Sequence, residues 1–170
     1  TQLSVNNIDL LYSNAVLHWL DHHETVIPQL LKHLAPEGVF AFQLPNNFNQ
    51  PSHQSMLHTI EAGPWKDQLL PLWRPEPTHE APWYYDLLQP LSAELNIWET
   101  IYIQQLHGDN PIVEYTKGTW LRRFLNKLDD AQQQQFLAHY SDLIRNAYPP
   151  QPDGTTLFPF RRIFIVGTLQ

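Results

Sequence analysis

The 170-residue chain has a formal charge of −7, and that acidity argues against a nucleic-acid binder, which needs a basic surface. With no cysteine it has neither disulfides nor thiolate metal sites, and its 42% apolar content fits one soluble globular domain in a cytoplasmic setting. No apolar run approaches a membrane span, and the first residues lack the basic head and apolar block of a signal peptide.

In chain order, Thr1 to Asn7 is polar and reads as loop. Ile8 to Tyr12 reads as a short buried strand that stops in the polar pair Ser13-Asn14, and a tight turn then carries His18 and Trp19. Ligands of open α/β sheets gather beyond the carboxyl ends of the strands, so this tip is a candidate site, although ordinary βα units begin the same way. Val26, Ile27, Leu30, Leu31 and Leu34 recur at helical spacing and predict a helix from about Glu24 to Leu34, with His22 or His23 near its start. Pro36 and Gly38 end it, and Val39 to Leu44 follows as a second strand. Strand, helix and strand at this spacing predict a parallel pair with a right-handed crossover, hence an α/β fold.

Gln43 to Gln50 is a polar cluster, after which Pro51-Ser52 opens a helix through Met56, Leu57 and Ile60, with Ser52 as its N-cap. Gly63 to Pro82 shows no period and reads as an ordered loop. Trp83 to Leu91 predicts a helix with Pro82 in its first turn, and Asn96 to Leu106 a strand. A helical stretch follows, its clearest piece running from Asp129 or Asp130 to Tyr148, and Ile163 to Gly167 closes the chain as a last strand. The expected organisation is a sheet domain of residues 1–106 and 157–170, with residues 107–156 inserted as a helical cap.

Several familiar motifs are absent. There is no H-E-x-x-H, no G-x-S-x-G elbow and no G-x-G-x-x-G loop, so neither a metal site, a serine hydrolase nor a phosphate cradle is read here. The arginine doublets Arg122-Arg123 and Arg161-Arg162 are more informative, because a guanidinium fork matches a carboxylate with two hydrogen bonds. The plain alternative pairs them with surface acids such as Asp129 or Glu114. Of Tyr84 and Tyr85, one must face outward, since adjacent helix positions diverge by about 100°. His53 lies near a helix start just past the second strand, where ligand groups gather, and its plain reading is a solvated surface imidazole. Trp98 reads as packing.

Over nearly its whole length the chain resembles the trans-aconitate 2-methyltransferase family of class I S-adenosylmethionine-dependent enzymes. The matching stretches are Asp9-Leu10-Leu11 with Asn14-Ala15-Val16-Leu17-His18-Trp19-Leu20, Leu34-Ala35-Pro36-Glu37-Gly38-Val39, Leu44-Pro45-Asn46-Asn47 and Gln50-Pro51-Ser52-His53. They continue through Tyr84-Tyr85-Asp86-Leu87-Leu88, Ile97-Trp98-Glu99-Thr100, Gly118-Thr119 with Leu121-Arg122, Tyr148-Pro149, and Phe160 with Arg162-Ile163-Phe164-Ile165-Val166. His18 stands where the family usually has Gln, Asn46 where it has Asp, and Arg123 and Arg161 where it has prolines.

The resemblance implies the C-terminal part of a Rossmann-like methyltransferase sheet, beginning near its fourth strand, with a helical cap between its last two strands. It implies methyl transfer from S-adenosylmethionine to a carboxylate of a small polycarboxylic acid. Asn14 and Ala15 would border the methionine end of the cofactor, Trp19 would wall the pocket, Arg122 and Arg162 would hold carboxylates, and Tyr84 and His53 would orient the acid. The family's glycine-rich cofactor loop lies upstream of the matched stretches. The 170 residues alone are therefore expected to bind S-adenosylmethionine weakly or not at all, to be inactive, and to expose strand 8–12 to self-association. The alternatives are a non-catalytic small-acid-binding or assembly module, and a methyltransferase for a different small acceptor.

Overall fold

The computed structural model describes residues 5–74 and 78–170. A four-stranded sheet in the order β1-β2-β4-β3 is built from β1 (Ile8–Asn14), β2 (Leu34–Pro45), β3 (Ser92–Leu106) and β4 (Thr156–Leu169). β1 runs parallel to β2 through α1 (His23–Leu31), as the strand-helix-strand spacing predicts, and β4 is antiparallel to β2. The remaining helices are α2 (Pro51–Ala62), α3 (Lys66–Leu69), α4 (Ala81–Leu88), α5 (Pro111–Lys117), α6 (Arg122–Leu125) and α7 (Asp130–Ala147).

Three local expectations need correction. β1 is an edge strand among the described residues, and Leu10 (57% exposed) and Tyr12 (66%) face solvent, so it is not buried. Its apolar content reflects the partly buried Ile8 and Leu11, which pack on the core. Ser52 is not the N-cap of α2. Gln50 is, Pro51 fills the first turn, and the Ser52 backbone N–H donates to the Tyr148 hydroxyl at 3.1 Å. The stretch from Gly63 to Pro82 contains α3 and a 3-10 turn over Leu70–Leu72, with residues 75–77 outside the description.

β2 also starts earlier than its apolar run. Between Ile8 and Leu10 of β1 the pairing jumps from Leu34 to Val39, so Ala35 to Gly38 bulge out of the ladder. Glu37 takes φ 63° there, and a Cβ on Gly38 would lie 2.8 Å from the Ala35 carbonyl oxygen. The Pro-Glu-Gly break is real, but the chain resumes pairing on both sides of it.

The described residues form two units. One comprises those within Thr1–Asn46, Glu76–Ile101 and Arg161–Gln170. Its core sets Phe40, Phe42 and Leu44 of β2 beside Ile163 and Ile165 of β4, together with Ile27 and Leu31 of α1 and Tyr84 and Leu88 of α4. Strand alternation sends the residues between them to the opposite face, where Gln43 and Arg162 meet and Trp98 stacks on Phe164 with rings 5.1 Å apart. Gly167 faces Phe40 so closely that a Cβ would lie 2.5 Å from its ring, which leaves room for hydrogen only.

The other unit comprises the residues within Asn47–Pro75 and Tyr102–Phe160. Its core gathers Met56 and Ile60 of α2, Trp65, Leu69, Phe124 and the Phe136, Tyr140 and Ile144 stripe of α7. α7 starts in a reciprocal capping box: the Gln132 N–H donates to the Asp129 carboxylate at 2.8 Å, and the Gln132 side chain accepts from the Asp129 N–H. The Tyr140 hydroxyl donates to the Ser52 carbonyl at 3.0 Å, tying α7 to the first turn of α2.

Candidate functional site

In the sheet unit, β1 runs out at Ser13-Asn14 and the chain enters Ala15 at φ 52°, a left-handed conformation uncommon for a residue with a Cβ. The Ala15 N–H donates to the Gln43 carbonyl at 2.9 Å, so β1 stays paired to β2 through the strained residue. Backbone held in such regions concentrates at ligand clamps and active sites. Asn14 is exposed and Ala15 half-buried, directly at the carboxyl end of the parallel pair.

A 3-10 turn over Leu17–Trp19 follows. His18 is buried, and Trp19 stays 45% exposed with its ring 4.6 Å from that of His18. The turn is fixed from beneath by His23, whose Nε2–H donates to the Leu17 carbonyl at 2.9 Å while Nδ1 meets the Tyr84 hydroxyl at 2.8 Å. Tyr84 is fully buried with its hydroxyl on His23, and Tyr85, 53% exposed, is the outward phenol of the pair. The expectation that Tyr84 reaches a ligand thus meets a hydroxyl already engaged in the core. Its place supports the turn that presents Trp19.

On β4 the adjacent arginines diverge. Arg161 forms ion pairs with Glu80 (3.0 Å) and Glu99, and these carboxylates raise its pKa further. Asn46 donates to the same Glu99 at 3.3 Å. Arg162 donates from Nη1 to the Gln43 Oε1 at 2.8 Å. Gln43 and Ser13 each keep a buried polar atom, Nε2 and Oγ respectively, without a hydrogen-bond partner among the described residues. Gln43 was not singled out from the sequence, where it reads as the first residue of the polar cluster Gln43 to Gln50.

In the helical unit, His53 is 8% exposed, its ring lying 5.8 Å from Phe48 and 5.6 Å from Trp120. The surface-imidazole reading is therefore wrong: burial pushes its pKa down to about 4. Arg123 lays its guanidinium 4.4 Å over the Trp120 ring, and burial and the nearby Arg74 charge lower its pKa. Arg122 points to solvent from the first turn of α6. An open groove of about 500 Å³ runs along α2, lined by Gln54, Ser55, His58, Glu61 and Leu143, and none of the sequence-expected site residues lines it.

Curated relatives are similar over almost the entire chain. A protein of Azoarcus sp. (strain BH72) named trans-aconitate 2-methyltransferase is 44% identical over 94% of this chain. One of the same name from Yersinia pseudotuberculosis serotype O:1b (strain IP 31758) is 40% identical over 95% of it. The chain is thus similar to proteins named trans-aconitate 2-methyltransferase. It spans 62–63% of the length of these relatives, matching their C-terminal part. No family model matches it. Among solved structures, the YcgJ protein of Bacillus subtilis superposes with a TM-score of 0.53 at 14% identity, over 99% of this chain and 68% of that one. The MccD protein superposes at 0.50 with 9% identity, over 100% and 64%. The expected α/β class holds: a four-stranded mixed sheet with helices, its fold shared with these two structures.

Proposed function

We propose that this chain takes part in S-adenosylmethionine-dependent methyl transfer to a carboxylate oxygen of a small polycarboxylic acid. The observation that carries this reading is the 44% identity to a protein named for that reaction, with Asn14, Ala15, Trp19 and Arg162 sited at or next to the carboxyl ends of the sheet's strands. S-adenosylmethionine, when bound, supplies an electrophilic methyl group that leaves sulfur as a carboxylate oxygen attacks. Strained Ala15 and exposed Asn14 fit a contact to the methionine end of the cofactor, and Trp19 offers an apolar wall beside it.

The chain's own residues then need only align and desolvate the acid. A carboxylate is already an anion at neutral pH, so no general base is required. Arg162, oriented by Gln43, and the exposed Arg122 are assigned to carboxylate binding. His53, held uncharged at neutral pH by burial, is assigned to orienting the acid through hydrogen bonding rather than charge. Tyr84 acts through His23 on the turn that carries Trp19. Residues 107–156 are assigned the role of a cap inserted between β3 and β4, in a cytoplasmic protein.

The longest form of the protein that its gene encodes, incubated with S-adenosylmethionine and a panel of di- and tricarboxylates, is expected to yield a monomethyl ester by mass spectrometry. No ester from any acid would end the reading. No glycine-rich loop lies within the 170 residues, so the 170 residues alone are expected to bind S-adenosylmethionine weakly or not at all. Micromolar affinity by calorimetry would contradict that. The exposed edge of β1 favours a second reading, an acid-binding assembly module, and ester formation decides between the two.

A further inference from the structure

We propose that Gln43 is a ligand-binding residue: its side-chain amide and the Arg162 guanidinium together grip a carboxylate at the carboxyl end of β2. The inference deepens the reading above and rests on it for the identity of the acid. Gln43 is 6% exposed, and its orientation is not a free choice. A guanidinium carries donors only, so the amide atom 2.8 Å from Arg162 Nη1 must be the oxygen. Flipping the amide would set N–H against N–H. Nε2 is thereby committed to the other side, where it finds no acceptor among the described residues.

The backbone cannot swing the amide away. The Gln43 carbonyl holds the Ala15 N–H at 2.9 Å, and on its other side β2 pairs Gln43 with Phe164 of β4. A buried N–H donor without an acceptor carries its full desolvation penalty, and such groups are rare unless an ordered water or a ligand completes them. The completing group must be an acceptor tolerated beside a guanidinium. A cation or a pure donor is excluded, and a carboxylate satisfies both partners with its two oxygens. Two molecules of the proposed reaction carry one: the acid, and the methionine end of the cofactor.

The test follows the Gln43 side-chain amide in a nitrogen-15 spectrum of the longest form of the protein, assigned by its disappearance in Gln43→Met. Tricarballylate and trans-aconitate form one arm and S-adenosylhomocysteine the other. A saturable shift with the acids, with affinity lowered about tenfold or more in Gln43→Met and unchanged in the surface control Gln134→Met, supports the proposal and places the acid there. The same pattern with S-adenosylhomocysteine alone supports the grip and assigns it to the cofactor carboxylate. No shift in either arm, or equal affinities in wild type and Gln43→Met, overturns it. Ester formation by the wild type is read separately, so this proposal can fail while the proposed activity stands.

Discussion

Removing the buried imidazole of His53 should change how stability depends on pH. Burial lowers its pKa from 6.5 to about 4. Between those values the unfolded chain holds a proton that the folded chain has released, so stability rises with pH through that window. The contribution is intact above about pH 6.5 and falls progressively as the pH drops toward 4, where the accumulated loss is about 3 kcal/mol. Between pH 7 and pH 4.5 the wild type should therefore lose roughly 2 kcal/mol on account of His53 alone. His53→Phe keeps an aromatic ring between Phe48 and Trp120 and cannot take up a proton.

Urea unfolding of both proteins at several pH values isolates the effect, because every other titrating group is common to the two. The stability difference should shift by that amount across the window, always in favour of the variant on the acid side. In parallel, the His53 imidazole resonance should titrate with a midpoint near 4. A midpoint near 6.5, or stability curves that stay parallel from pH 7 to 4.5, would refute burial as the controlling influence. It would also reopen a charged role for His53 in holding an acid.

Tyr84→Phe should cost about 1–3 kcal/mol in urea unfolding by leaving the buried His23 ring without its 2.8 Å partner, whereas Tyr85→Phe should stay within about 0.5. Asp129→Ala removes the capping box of α7 and should cost about 1 kcal/mol, with no loss predicted for Asp142→Ala at the surface of the same helix. Arg161→Ala should lower stability by about 1 kcal/mol or less and leave acid affinity unchanged, while Arg162→Ala weakens acid binding in the same titration. Tyr12→Lys on the β1 edge should abolish any self-association of the 170-residue chain in sedimentation, and a dimer that survives it would place the contact elsewhere.

The parallel pair, the crossover helix and the long α7 were legible because each rests on local periodicity or local punctuation. The exposure of β1 was not, since apolar residues report what a strand prefers to touch and not whether a neighbour is there. The capping of α2 was hidden for a different reason: the group meeting the Ser52 N–H is a phenol 96 residues away. Burial of His53 depends on Phe48 and Trp120, which no local pattern connects to it. Asn14, Ala15 and Trp19 could be placed at the strand tip from the polar break alone, but Gln43 could not be set apart from its polar neighbours until Arg162 was seen to select one amide face.

The arginine doublets show how element type divides one residue pair into two kinds of work. On β4 successive side chains point to opposite faces, so Arg161 goes toward Glu80 and Glu99 while Arg162 goes to the face that carries Gln43. On α6 a step of one residue turns about 100°, which puts Arg123 over Trp120 and leaves Arg122 in solvent. In both doublets the arginine standing where the family resemblance leads one to expect proline has its charge offset within its own unit. Two carboxylates offset the charge of Arg161, and an aromatic face holds that of Arg123. The extra guanidiniums therefore do not by themselves imply a more highly charged acid. Any difference in acceptor should trace to the surroundings of Arg122 and Arg162, and a titration of acids of increasing charge against Arg123→Pro and Arg161→Pro should leave their rank order unchanged.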